Sequence, residues 1–111
     1  MKIKLLFVCS GNLDRSPTAA DLFKNSAHYE ARSAGTHISA PVKISQNLID
    51  WADKIFVMSE KDEVDRHLTY LKKHFSLSGK GLHDLEIHDE YDRGDPELIA
   101  LLKKKLSPYL S

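Results

Sequence analysis

Lys4-Leu5-Leu6-Phe7-Val8-Cys9-Ser10-Gly11-Asn12-Leu13-Asp14-Arg15-Ser16-Pro17 decides how the rest of the chain is read. Its first half is a short apolar run stopped by the turn-forming Ser10-Gly11-Asn12, the pattern of a strand buried on both faces. Its end, Ser16-Pro17, offers a hydroxyl and then a proline suited to a first helical turn, and Ala19, Ala20, Leu22 and Phe23 continue as an apolar stripe. The stretch predicts a strand over 4–8, a loop, and a helix over 17–26.

Outward from it the same alternation repeats. Residues 29–34 read as a second strand ending at Gly35, and 36–42 as a loop containing Pro41. Ile44, Leu48, Ile49 and Trp51 recur at helical spacing, and 54–58 repeats the apolar run of the first strand. Ser59-Glu60 opens a charged amphipathic helix with Val64, His67, Leu68 and Leu71 on one face. A turn at 77–81 leads to a weakly alternating fourth strand over 82–87. Asp95-Pro96-Glu97 caps a last helix whose apolar face is Leu98, Leu101, Leu102 and Leu106. Strands alternating with helices predict an α/β chain with an open parallel sheet covered on both faces. Sites in such sheets lie beyond the carboxyl ends of the strands, where Cys9 stands.

Composition bounds the function. A length of 111 residues, 41% apolar and 29% charged, without repeats, low-complexity tracts or a linker, is that of a single domain over 1–111. Sixteen basic against sixteen acidic residues leave no basic field to hold nucleic acid. The apolar runs Leu5–Cys9 and Ile55–Met58 fall far short of the ~20 residues that cross a bilayer. The start, Met1-Lys2-Ile3-Lys4, leads into a run too short for a signal peptide, so the expected localisation is cytoplasmic. The single cysteine, Cys9, forms no intramolecular disulfide and no multi-cysteine metal site. His37, His83 and His88 follow no ligand spacing, so neither metal nor other cofactor is expected. Trp51 and Met58 fall on apolar stripes as core residues, and Lys103-Lys104-Lys105 complements a helix dipole at its carboxyl end.

The loop's chemistry follows from its place. Between a strand end and a helix start, successive backbone N–H groups from Ser10 through Gly11, Asn12, Leu13, Asp14, Arg15 and Ser16 can turn inward as a nest for an oxyanion. The same field favours a thiolate, the nucleophilic form of cysteine. Arg15, separated from Cys9 by five residues, can fork two N–H bonds onto phosphoryl oxygens in line with the sulfur. Gly11 and Asn12 are residue types that tolerate left-handed backbone. The Gly-Lys-Ser/Thr ending of a Walker A loop is absent, which disfavours nucleoside triphosphates. The bland alternative for Cys9 is a small core residue at a strand end.

Leu6-Phe7-Val8-Cys9-Ser10-Gly11-Asn12 with Arg15-Ser16-Pro17-Thr18-Ala19-Ala20 resembles the first motif of the low-molecular-weight protein tyrosine phosphatases. Ser33-Ala34-Gly35-Thr36 resembles that family's second motif and Asp53-Lys54-Ile55-Phe56-Val57-Met58 its third strand. The resemblance implies a flavodoxin-like fold with a four-stranded parallel sheet and metal-independent phosphomonoester hydrolysis through a cysteinyl-phosphate. It assigns Cys9 as nucleophile, Arg15 to phosphate, Ser16 to the sulfur, Asn12 with Ser33 to bracing the loop, and Leu13 with Tyr91 to the pocket wall. Two departures stand out. Asp14 occupies the place of a second cysteine, so an oxidised Cys9 has no resolving partner. The chain is also shorter than typical members, like the truncated branch of the family.

The leaving oxygen needs a proton from a carboxyl opposite the sulfur. Asp89, Asp92 and Asp95 compete for that role. Asp95-Pro96 matches the family's Asp-Pro dipeptide, but it also has the form of a helix cap. Aligning the helix start at Leu98 puts the acid on Asp89, with Glu90 in the proline's place and Tyr91 as the following aromatic. The expected partner is a phosphorylated protein, phosphotyrosine foremost, or a small phosphomonoester, with the oligomeric state left open. The alternatives are a non-catalytic phosphate-binding module or pseudo-phosphatase and, further off, an arsenate reductase, whose relay needs cysteines this sequence does not have.

Overall fold

The computed structural model describes residues 2–58 and 67–110. Strand β1 (Ile3–Cys9) lies in the interior of a four-stranded sheet, pairing in parallel with β2 (Tyr29–Gly35) on one side and β3 (Lys54–Val57) on the other. β4 (Gly81–Asp84) adds in parallel to β3, giving the order β2-β1-β3-β4. Helices α1 (Arg15–Asp21), α2 (Gln46–Trp51), α3 (His67–His74) and α4 (Pro96–Leu106) alternate with the strands. Among the described residues no helix is long and apolar enough to cross a membrane.

Both faces of β1 are buried because its side chains alternate between two cores. Leu5, Phe7 and Cys9 join Phe56 and Met58 beneath Ala19 of α1 and Leu98, Leu102 and Leu106 of α4. Leu6 and Val8 join Ile55 and Val57 beneath Ile49 of α2 and Leu71 of α3. Phe7 stacks between Phe23 and Phe56, with ring centroids 5.8 and 5.4 Å away. Fully burying each such side chain stabilises the fold by about 1.5–3 kcal/mol. The expected flavodoxin-like open parallel sheet, with helices on both faces, is what forms.

Element ends differ from the sequence reading where tertiary contacts override local pattern. α1 starts at Arg15, two residues before Pro17, so Ser16 sits inside the first turn rather than ahead of it. It ends at Asp21, after which Leu22, Phe23 and Lys24 donate to carbonyls three residues back and tighten the chain into turns. β4 ends at Asp84 instead of continuing to Ile87, because Glu86 takes φ 52° and its N–H bonds to Asp84 Oδ1. The helix read from Ser59 is described from His67, and Val64 lies outside the described residues. α4 begins as its sequence requires: Asp95 Oδ1 accepts the Glu97 N–H at 2.8 Å, with Pro96 in the first turn.

Candidate active site

β1 delivers Cys9 to the carboxyl edge of the sheet, 2% exposed and opposite Gly35 in register. Two groups meet its sulfur: the Asn12 N–H donates at 3.3 Å, and Ser16 Oγ lies 3.0 Å from Sγ, where either the hydroxyl or the thiol can be the donor. Ser16 Oγ also lies 3.3 Å from Ala34 O, so its single proton can point to either acceptor. Its position in the first turn of α1 aims it at the sulfur rather than at the helix's own amides.

Asn12 holds this arrangement. Its Nδ2 donates to Ser16 Oγ at 2.9 Å and to Ser33 Oγ at 3.0 Å, while its Oδ1 accepts the Val42 N–H at 3.2 Å. The buried amide thereby satisfies two donors and one acceptor across three segments. Asn12 is also where the loop enters left-handed backbone, at φ 56°. Gly11, expected to share that conformation, does not: the positive-φ glycines are Gly79 and Gly94. One left-handed residue is enough to bring the Asn12 N–H onto the sulfur.

The glycine the loop depends on is Gly35. A Cβ there would stand 2.6 Å from Ser10 O, 2.7 Å from Ala40 Cβ and 3.0 Å from Asn12 Cβ. The space lets the Thr36 N–H reach Cys9 O at 3.0 Å and the His37 N–H reach Ser10 O at 2.9 Å, fastening the next loop behind the first. Ser10 Oγ is 2.8 Å from Nε2 of His67, whose Nδ1 accepts the Met58 N–H at 3.3 Å. The same Met58 N–H also donates to Val8 O at 3.0 Å, so it is shared between the ring and β1. The sequence places His67 on an apolar face and gives it no role; a histidine in a stripe otherwise made of Val and Leu is the one signal that could have marked it.

Arg15 is 1% exposed, an extreme for a guanidinium. Its Nη1 donates to Met58 O, just past the end of β3, and to Ile87 O at 2.7 Å, in the segment past β4, so the chain beyond two strands fixes its orientation. Its Nε is buried and has no hydrogen-bond partner among the described residues. Asp89 Oδ1 stands 3.6 Å from this Nε, within ion-pair range but beyond hydrogen-bond reach.

The segment between β4 and α4 brings Asp89 beside Arg15 and the loop that follows β1, with the carboxylate side chain 52% exposed. Asp95 lies at the helix cap, and Asp92 is exposed with its carbonyl accepting the Asp95 N–H at 3.1 Å. Tyr91 packs half-buried against the α1–α4 core, and partial burial, followed by the neighbouring Glu90 carboxylate, raises its pKa. Leu13 projects 62% exposed from the loop. Asp14 turns its carboxylate away from the helix it precedes and accepts the Arg93 N–H at 3.1 Å. Arg93 and Thr18, which meet this segment, have no motif that would single them out in sequence. Among the described residues no three His, Cys, Asp or Glu side chains gather as a metal ion would require. An apolar groove lined by Leu22, Phe23, Tyr29, Leu106 and Leu110 shares no residue with the loop.

No protein-family model matches the sequence, and no curated protein matches it. Solved structures do match the folded chain. The tyrosine phosphatase Wzb from Escherichia coli K30, in complex with phosphate, is 19% identical over 98% of this chain and 96% of its own, with a TM-score of 0.72. A low-molecular-weight protein tyrosine phosphatase from T. tengcongensis is 21% identical over 98% of this chain and 100% of its own, with a TM-score of 0.68. A thioredoxin-dependent arsenate reductase from Corynebacterium glutamicum is 18% identical over 96% of this chain and 59% of its own, with a TM-score of 0.62. The chain has the fold these proteins share.

Proposed function

We propose that residues 1–111 form one phosphatase domain of the low-molecular-weight protein tyrosine phosphatase type, hydrolysing phosphomonoesters through a cysteinyl-phosphate on Cys9. The observation that carries this reading is the buried guanidinium of Arg15, anchored through Nη1 on two carbonyls and with no hydrogen-bond partner for Nε among the described residues, at the end of a loop that begins at a hydrogen-bonded cysteine. A buried N–H without a partner is costly unless a ligand supplies the acceptor. A phosphoryl oxygen bound within the loop would supply it.

In the proposed reaction the Cys9 thiolate attacks phosphorus in line with the leaving oxygen. The P–O bond breaks, a P–S bond forms, and Asp89 gives its proton to the departing alkoxide or phenoxide. Arg15 and the loop amides take up charge on the equatorial oxygens. Water, deprotonated by the Asp89 carboxylate, then attacks phosphorus and expels the sulfur. The Ser16 hydroxyl and Asn12 amide receive the returning thiolate, and orthophosphate leaves. Side chains supply nucleophile, acid and charge stabilisation, so the proposed hydrolysis is metal-independent. Phosphotyrosine on protein is the favoured substrate, since exposed Leu13 and half-buried Tyr91 offer apolar surface for an aryl group.

The test is hydrolysis of an aryl phosphate and of a phosphotyrosine peptide with chelator present, beside the Cys9→Ser variant. Turnover in the wild type, with none in Cys9→Ser and vanadate still bound by both, is expected. Vanadate binding without wild-type turnover would make the chain a phosphate-binding module instead. Turnover by Cys9→Ser would remove Cys9 from the chemistry.

A further inference from the structure

The segment from Leu85 to Asp95 contains no proline and, from Leu85 onward, no regular structure before α4. At one end buried Ile87 accepts Arg15 Nη1 through its carbonyl; at the other Asp95 caps α4. Between these ends a third attachment runs to α1. The Arg93 N–H donates to Asp14 Oδ1 at 3.1 Å and the Gly94 N–H to Thr18 Oγ1 at 3.0 Å. Arg93 Nε and Nη2 fork onto Asp21 Oδ2 and Oδ1, each at 3.1 Å. Gly94 takes φ 82°, a left-handed turn that a side chain would strain.

We propose that Arg93, clasped by Asp21, and Thr18, receiving Gly94, are positioning residues that hold Asp89 over the phosphate loop. This rests on the reading of Asp89 as general acid. Thr18 and Asp21 stand three residues apart on one face of α1, and Asp14 immediately precedes that helix. The same helix begins at Arg15. Acid and phosphate ligand are therefore referred to one rigid frame, although 74 positions separate Arg15 from Asp89. The Thr18 hydroxyl proton is used on Asp14 O at 2.7 Å, which turns the oxygen's lone pairs toward the Gly94 N–H. The Arg93–Asp21 pair is 56% and 51% exposed, so it adds little to global stability. Its effect is on where the segment sits. General-acid transfer needs donor and leaving oxygen within hydrogen-bond reach, and a segment tied only at its ends would satisfy that less of the time.

The test combines Arg93→Ala with Thr18→Val in the full chain and measures two quantities. Amide hydrogen exchange at Gly94 should accelerate about tenfold or more. Turnover should fall about tenfold on phenyl phosphate, whose leaving group needs a proton, and stay within about twofold on 2,4-dinitrophenyl phosphate, whose leaving group does not. Thr18→Ser, which restores the acceptor in the double variant, should recover part of both effects, and inorganic phosphate should inhibit all forms equally. Unchanged exchange would show that no latch exists. Faster exchange with equal losses on both substrates, or with no loss, would show that the latch does not position an acid. Asp89→Asn on the same two substrates separates the failures. A selective loss there with none in the latch variant overturns the latch alone. A uniform response overturns Asp89 as acid, and with it the positioning role, whatever the exchange rates show.

Discussion

Ser16 Oγ lies 3.0 Å from Cys9 Sγ, and both atoms are buried. The hydroxyl is held there by Asn12 Nδ2, which leaves its proton free to meet charge on the sulfur. A hydrogen bond to a charged group contributes about 1.5–3 kcal/mol. Ser16→Ala is therefore expected to lower kcat about 10- to 100-fold, with the larger share in hydrolysis of the phosphoenzyme, where sulfur leaves. Rapid-quench kinetics would show the phosphoenzyme accumulating; an unchanged breakdown rate would release Ser16 from this role.

Arg15 cannot be replaced by lysine. A lysine ammonium carries its three N–H groups on one atom, so seated between Met58 O and Ile87 O it cannot also present the separate Nε and Nη2 donors of a planar fork to an oxyanion. Arg15→Lys should lower kcat/KM about 10²-fold or more and weaken vanadate binding in parallel. Equal vanadate affinity in the variant would place the anion elsewhere.

Gly35 and Gly81 make a controlled pair. A methyl at Gly35 meets Ser10 O at 2.6 Å, whereas at Gly81 its nearest neighbour is Lys54 Cγ at 3.7 Å, ordinary contact. Gly35→Ala should destabilise by about 1–3 kcal/mol and weaken phosphate binding, because the loop's backbone must shift. Gly81→Ala should be neutral or stabilise by up to about 1 kcal/mol. Denaturant melts of both, with phosphate titrations, decide it.

Asp89→Asn should lower kcat for phosphotyrosine about 10²-fold or more while sparing substrates with activated leaving groups. Asp95→Asn should be mild on every substrate, since asparagine caps a helix about as well as aspartate. If Asp95→Asn instead shows the steep dependence on the leaving group, the acid lies at the α4 cap.

His83 stacks on Tyr109, with centroids 4.1 Å apart, and its pKa is lowered by burial and then by the Lys54 charge. Above the unfolded value of 6.5 both states are neutral at this group, and its neutral packing is retained in full. As pH falls through that value the unfolded chain takes the proton more readily than the folded one, so stability declines on acidification. Urea midpoints from pH about 7.5 to about 5.5 should fall less steeply in His83→Phe, which keeps a ring and cannot titrate. An identical slope in the variant would assign the decline to other groups.

What was legible in the sequence was local. A run such as Leu5–Val8 shows burial on both faces within a few residues, and the Asp95 cap closes on an N–H two positions away. The cysteine-to-arginine spacing likewise lies within one loop. Ends set by remote partners were not legible: α1 begins at Arg15, with Ser16 Oγ already against Cys9 Sγ, and β4 stops at Asp84 where Glu86 turns left-handed. Gly11 and Gly35 carry no local mark of which one the loop needs. That depends on how closely the end of β2 approaches Ser10 O.

By itself the sequence determined the alternation of strands and helices and the place of the loop between Cys9 and Arg15. Tertiary structure alone decided that Asn12 meets Val42, that Met58 O and Ile87 O anchor Arg15, and that Arg93 reaches Asp14 across 79 positions. Hydrophobic periodicity is written in neighbouring residues. A hydrogen bond between distant ones exists only after parallel pairing has brought the carboxyl ends of β1, β2 and β3 side by side and folded the segment after β4 back onto α1.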